Sequence, residues 1–285
     1  MTDFVALLGT KGGPAIRPYS TMPTSHLLRL SGQTIVVDCG LGVSRGIADQ
    51  GFDLKHLSHI FISHLHSDHY LELGPMLHTA WTAGLKAPVT VYGPKGIDAY
   101  WQGFLQSMKA DIDLRIADEG RPDLGELLAI EVIDPDQTIT IGDIAVSAMR
   151  TIHPPLVDCY ALSFKTAARH VVFSGDTAFL PPLADFARGA DLLIHEAMLV
   201  AALDALMARI ENADDRLMTH LLRSHTTAED AGRIAQMAGV KALAINHLVP
   251  SDDPAFGPQD WDDAIRQTWQ GPFHLGRDGL RIPLD

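Results

Sequence analysis

The chain reads as an α/β protein of two packed sheets with helices outside, and three observations predict it. Short apolar strands in the first half are joined by hairpins, whereas strands in the second half alternate with helical segments. At 285 residues, with 46% hydrophobic and 20% charged, there is enough apolar material for such a core. No low-complexity run, internal repeat or Gly/Ser linker divides the chain, so residues 1–285 read as one domain.

Val5 to Gly9 is the opening strand, broken by Gly9-Thr10-Lys11-Gly12-Gly13-Pro14. That loop lacks the spacing and the Lys-Ser/Thr pair of a P-loop, so no nucleotide is expected there. His26 to Leu30 and Gln33 to Asp38 flank a Ser31-Gly32 turn and read as a hairpin. Asp38-Cys39-Gly40-Leu41-Gly42 breaks the second strand; Gly9, Gly40 and Gly42 read as tight-turn residues. His59 to Ser63 is a short buried strand, Tyr70 to Ala83 has helical spacing, and Val89 to Pro94 is a strand ending in a turn. A helix then runs through Met108. The acidic, weakly patterned stretch from Asp111 to Pro135 reads as a variable loop or rim. Thr138 to Ile141 and Ile144 to Met149 are strands leading into His153, and Val171 to Ser174 is another, ended by Gly175-Asp176-Thr177. Leu192 to Glu196 is the next. Thr226-Thr227-Ala228-Glu229 reads as a capping box for a helix that Gly239 ends, and Val240 to Ile245 leads to Asn246-His247.

The chemistry concentrates in His64-Leu65-His66-Ser67-Asp68-His69, three imidazoles and a carboxylate just past a strand. A turn of chain at that point can aim all four into one cavity, and these ligand types suit Zn, Mn or Fe. A His-rich surface loop would also carry such a run. Against it, His153, Asp176, Glu196 and His247 recur at or just past the ends of other apolar strands, where functional groups gather on one edge of a scaffold.

A formal net charge of −13 repels polyanions and gives no attraction to an anionic membrane surface. Nucleic acid and membrane are therefore disfavoured as partners. The N-terminal residues lack the basic and apolar regions of a signal peptide, and no apolar run is long enough to span a bilayer, so a cytoplasmic location is expected. Two cysteines, Cys39 and Cys159, give no disulfide framework and read as small buried hydrophobes. His56, His59, His170, His220 and His274 read as ordinary surface or core residues, as do His26 and His78 despite lying nearer the motifs. Trp81, Trp101, Trp261 and Trp269 read as core or surface anchors, with a place in a pocket wall left open.

The ordered set of a His-x-His-x-Asp-His cluster, a later lone His, a Ser-Gly-Asp-Thr turn and a strand-end His resembles the metallo-β-lactamase superfamily of hydrolases. The resemblance implies a four-layer αβ/βα sandwich holding two divalent metal ions, Zn first and Mn or Fe as alternatives. It implies that His64, His66 and His153 hold one metal, that Asp68, His69 and His247 hold the other, and that Asp176 bridges them. The bridging Asp argues against a lactam-cleaving member, and His66 argues against a flavodiiron one. His195-Glu196-Ala197 and Ser224-His225-Thr226-Thr227-Ala228 resemble signatures of the tRNA 3′-processing endonucleases and their arylsulfatase-like relatives. That likeness implies a Glu196–His225 pair, with His225 as proton donor, and it implies that Asp68 orients a metal-bridging hydroxide.

In the tRNA-processing members a long arm separates the third ligand His from the bridging Asp. Here only 22 residues lie between His153 and Asp176, enough for two strands. The expectation is therefore a metal-dependent hydrolase of a small-molecule ester. Phosphate or sulfate esters come first and lactones or carboxylic esters next, with a homodimer left open. A tRNA 3′-processing nuclease is the first alternative, and a non-catalytic metal-binding protein on the same fold is the second.

Overall fold

A computed structural model describes residues 2–210 and 214–284. Strands β1 (Phe4–Gly9), β2 (Ser25–Leu30), β3 (Gln33–Cys39), β4 (His59–Phe61), β5 (Val89–Gly93) and β6 (Leu128–Val132) form one sheet. The second sheet holds β7 (Ile139–Ile141), β8 (Ile144–Arg150), β9 (Tyr160–Lys165), β10 (His170–Phe173), β11 (Leu192–Met198), β12 (Leu243–Val249) and β13 (Phe273–Leu275). β14 (Leu280–Pro283) returns to pair antiparallel with β1. Apart from that β14–β1 pair, each sheet is antiparallel through its hairpin-linked strands and parallel through the rest: β3, β4, β5 and β6 run together, as do β10, β11, β12 and β13.

Helices α1 (Val43–Asp49), α2 (Ser67–Tyr70), α3 (Leu73–Thr82) and α4 (Ile97–Glu119) belong to the first half. The second half supplies α5 (Pro182–Phe186), α6 (Leu203–Arg209), α7 (Asp215–Ser224), α8 (Ala228–Ala238) and α9 (Pro258–Arg266). Strand periodicity explains the layers, because alternate side chains face opposite ways. In β1, Val5 and Leu7 pack between the sheets with Phe61, Phe164 and Phe173, while Phe4, Ala6 and Leu8 pack outward under α1 and α3. α5, α8 and α9 cover the outer face of the second sheet. The result is helix, sheet, sheet, helix, the expected four-layer αβ/βα sandwich of the metallo-β-lactamase fold.

Several expectations need correction. The stretch from Asp111 to Pro135 is not a loop: it holds the second half of α4 and the edge strand β6. α4 escapes a periodicity reading because it buries only Ile97, Trp101 and Ile112 along 23 residues. Its outer face is instead laced by i,i+4 ion pairs such as Lys109–Asp113 and Arg115–Asp111. The helical stretch from Tyr70 to Ala83 begins earlier and is split, because α2 ends at Tyr70 and α3 starts at Leu73. The cap of α8 is Thr227, whose side chain accepts from Asp230 N, and not Thr226, whose hydroxyl donates to Thr177 O. Glu196 and His247 do not lie past strand ends. β11 and β12 run on to Met198 and Val249, and a register shift at Glu196/Ala197 turns the two side chains toward the site.

Candidate metal centre and proton donor

β4 ends at Phe61, and the chain then turns so that α2 projects Asp68 and His69 from its single turn. Behind them, Asp38 sits at the end of β3 with φ at 61°, a conformation that short polar residues tolerate better than most. Its Oδ1 accepts from Ser63 N at 2.8 Å, and its Oδ2 lies 2.8 Å from His69 Nδ1. His153 Nδ1 lies 2.8 Å from Ser224 O, and His64 Nδ1 lies 3.0 Å from Ser63 Oγ. Each contact occupies one ring nitrogen and leaves the other aimed inward, which is how a surrounding shell fixes a metal-binding tautomer.

The inward atoms form two groups. His64, His66, His153 and Asp176 offer atoms within 4.8 Å of one another, and so do Asp68, His69 and His247. One oxygen joins them: Asp176 Oδ2 lies 3.6 Å from His64 Nε2 and 3.7 Å from His153 Nε2 on one side. It lies 3.4 Å from His69 Nε2 and 3.1 Å from His247 Nε2 on the other. Ligands on a tetrahedral ion with bonds near 2.1 Å stand roughly 3.4 Å apart, so these spacings fit two ions sharing one carboxylate oxygen. His69 Nε2 and Asp176 Oδ1 are buried without a hydrogen-bond partner among the described residues, an expensive arrangement that cations would relieve. Burial alone disfavours charge on His69, but Asp176, Asp38 and Asp68 around it push its pKa well up. The seven residues named from sequence therefore converge, and this donor set fits divalent metal. Neither cysteine takes part: both are buried, and burial pushes the Cys159 thiol up to about 12.

Glu196 and His225 meet as expected. His225 Nδ1 is 2.9 Å from Glu196 Oε2, and Glu196 Oε1 accepts from Thr177 N at 2.6 Å. Burial would lower the pKa of His225. The Glu196 charge and hydrogen bond, helped by Asp176 and Asp68, overcome it and raise it to about 9. For Glu196 burial wins, moving its pKa up even against the pull of His225. His225 is the C-cap of α7, and its ring stacks on His247 at 5.3 Å.

The comparisons agree with this geometry. The family described as "Anti-Pycsar protein Apyc1" matches residues 5–232. A protein named ribonuclease Z from Mycobacterium marinum is 32% identical over 286 residues, covering 98% of each chain. The chain belongs to the Apyc1 family, in the ribonuclease Z-like branch of the metallo-β-lactamase superfamily. Among solved structures, the metallo-β-lactamase-fold protein YhfI of Bacillus subtilis superposes with a TM-score of 0.72 at 22% identity over 99% of both chains. The short form of human tRNase Z gives 0.69 at 20% identity, also over 99% of both. Like these proteins, the chain has the fold of metal-dependent hydrolases. No helix among the described residues is long and apolar enough to cross a membrane.

For this member of the family, the candidate metal ligands floor a cavity of about 320 Å³. One wall is apolar, from Leu206, Ile210, Leu217, Leu221 and Val249. None of the four tryptophans lines it, which closes the place left open for them. Three residues of the site escaped sequence reasoning. Asp38 has no motif beyond its strand end. His220, expected to be ordinary, lines the cavity with a ring nitrogen within 4.8 Å of those of His153 and His225; its spacing of five residues from His225 was the available signal. Lys11 lines the cavity from the Gly-rich loop, where Gly13 N donates to Asp68 Oδ2 at 2.8 Å. Gly9 and Gly40 serve close approach and not turn geometry, since a Cβ on either would overlap backbone oxygen.

Proposed function

We propose that the chain is a phosphodiesterase dependent on two metal ions that cleaves RNA, as the tRNA 3′-processing enzymes do. The observation that carries this reading is the buried Glu196–His225 pair set over the Asp176 bridge, in a chain that aligns end to end with a ribonuclease Z. The missing arm loses its force against a nuclease. The mycobacterial relative is covered over 98% of its own length, so it leaves no room for a long inserted segment either.

His64, His66 and His153 would hold one ion, Asp68, His69 and His247 the other, with Asp176 between them. Divalent ions held there would supply an activated water and polarise the phosphoryl oxygens. The remaining work belongs to the chain. Asp38 and the Ser224 carbonyl hold His69 and His153 in the orientation the cluster needs. Asp68, fixed by Gly13 N, would accept a hydrogen bond from the attacking water. Glu196 occupies Nδ1 of His225, leaving Nε2 as the nitrogen that donates a proton to the leaving oxygen.

One observation favours a second reading. A cavity of about 320 Å³ on a chain of charge −13 suits a substrate no larger than a nucleotide, and so a small phosphodiester. The test is cleavage by the purified protein with its metal content measured. Precursor tRNA cut at its 3′ end, faster than bis(p-nitrophenyl) phosphate and abolished by chelation, is the expected result. Turnover of only the small diester would select the second reading, and one metal in a fully active enzyme would overturn the two-metal mechanism.

A further inference from the structure

Lys11 is buried to within 3% of its surface, yet no carboxylate pairs with it among the described residues. Among the described residues its side chain makes one hydrogen bond, from Nζ to Gly12 O at 3.1 Å, a carbonyl of its own loop. The acidic groups that act on it are engaged elsewhere. Asp252 lies 3.4 Å from Arg17 and 3.4 Å from Arg209, and Asp68 belongs to the candidate metal-binding group with His69 and His247. An ammonium taken out of water without an ionic partner costs several kcal/mol, a cost that an anion arriving beside it would relieve.

The loop that carries Lys11 is fixed against the cluster. Lys11 N donates to Met22 O at 2.9 Å, Gly12 N to Leu248 O at 3.0 Å, and Gly13 N to Asp68 Oδ2 at 2.8 Å. Gly12 fits so closely that a Cβ would overlap Val249 Cγ2 and come within 2.9 Å of the His247 ring. Lys11 and Arg17 line the same cavity as the candidate metal ligands, and the backbone that carries Lys11 is held there. On a chain of charge −13 this cavity still receives two cationic side chains, Lys11 and Arg17, the second paired with Asp252.

We infer that Lys11, with Arg17 beside it, is a binding subsite for a second anionic group of the substrate, the phosphate next to the one at the metals. This rests on the phosphodiesterase reading and narrows it to substrates with at least two phosphoryl groups, as in an oligonucleotide strand. Lys11 selects among phosphodiesters and has no part in the bond-breaking step.

The test compares a dinucleoside monophosphate with the same compound carrying one added terminal phosphate, using the metal-loaded protein. The wild-type protein should prefer the doubly phosphorylated substrate about tenfold or more in kcat/KM, chiefly through KM. Lys11→Met should bring that ratio within about twofold, and Lys11→Arg should keep most of it. Log KM against log salt should also flatten by roughly 0.7 in Lys11→Met, the share of one phosphate contact on a single strand. A wild-type protein indifferent to the added phosphate would overturn the inference, and that measurement needs no variant to fold. So would a Lys11→Met protein that loses metal and slows equally on both substrates, since Lys11 would then only brace the loop. Failure to cleave either diester would instead overturn the parent reading, and this one with it.

Discussion

At His225 the carboxylate of Glu196 works against the cost of burial. Held 2.9 Å from Glu196, the imidazole keeps a proton at neutral pH because its pKa is raised to about 9. A raised pKa means the acid form is present below about 9 and is lost as pH rises through it. Cations at the cluster would offset the help from Asp176 and Asp68 and move that limb lower. We therefore expect kcat on substrates with poor leaving groups to fall on the alkaline side. His225→Ala should remove the limb and slow these substrates roughly 100-fold. Nitrophenyl esters, whose leaving group needs no proton, should lose far less, and metal content should hold. Glu196→Gln should give a weaker version of the same pattern. Equal losses across leaving groups, read in pH–rate profiles, would assign His225 a structural role.

The loop from Gly9 to Pro14 shows what a connecting element does when its backbone is part of the site. Gly12 lies against Val249 and the His247 ring, and Gly13 N holds Asp68. Gly12→Ala should push the loop away, release Asp68 and weaken metal binding at the Asp68, His69 and His247 set by about 10-fold or more. Metal titration checks it, with Gly103→Ala as control, since a Cβ there meets nothing within 4 Å. Elements of this kind mark the limit of sequence reading. The run from His64 to His69 was legible because ligand chemistry is local and the partners Asp176 and His247 follow recognisable apolar runs in the sequence. Lys11, Asp38 and His220 were not, because each acquires its role only where distant segments meet: Lys11 against residues near 248, Asp38 against Ser63 and His69, His220 beside His66 and His153. α4 was half legible for a different reason. Its buried positions are too sparse to set a period, and ion pairs on its solvent face do not register as apolar pattern.

Across the whole molecule the two sheets serve the site by carrying polar groups into a dry interior, and that has a consequence for acid stability. His195 lies in β11 at the centre of the second sheet, 1% exposed. Its Nδ1 is 2.7 Å from Glu196 O, and its Nε2 has no partner among the described residues. Burial lowers its pKa to about 4, outweighing the Glu196 carbonyl and Asp230, which act to raise it. The folded chain thus keeps His195 neutral, while the unfolded chain takes up a proton below about 6.5. In that window the unfolded state binds more protons, so stability falls with falling pH, by about 2 kcal/mol between pH 7 and pH 5 from this residue. His26, buried and lowered to about 4 mainly by desolvation, adds a contribution of the same sign. His195→Leu removes the first contribution and leaves the second. Urea unfolding of metal-loaded wild-type and variant proteins at the two pH values isolates it, because metal release and His26 are common to both. The variant should gain about 2 kcal/mol on the wild type as pH drops from 7 to 5. A difference that does not change with pH would mean that His195 takes up its proton inside the fold, and that the sheet interior beside the metal centre is wetter than its burial implies.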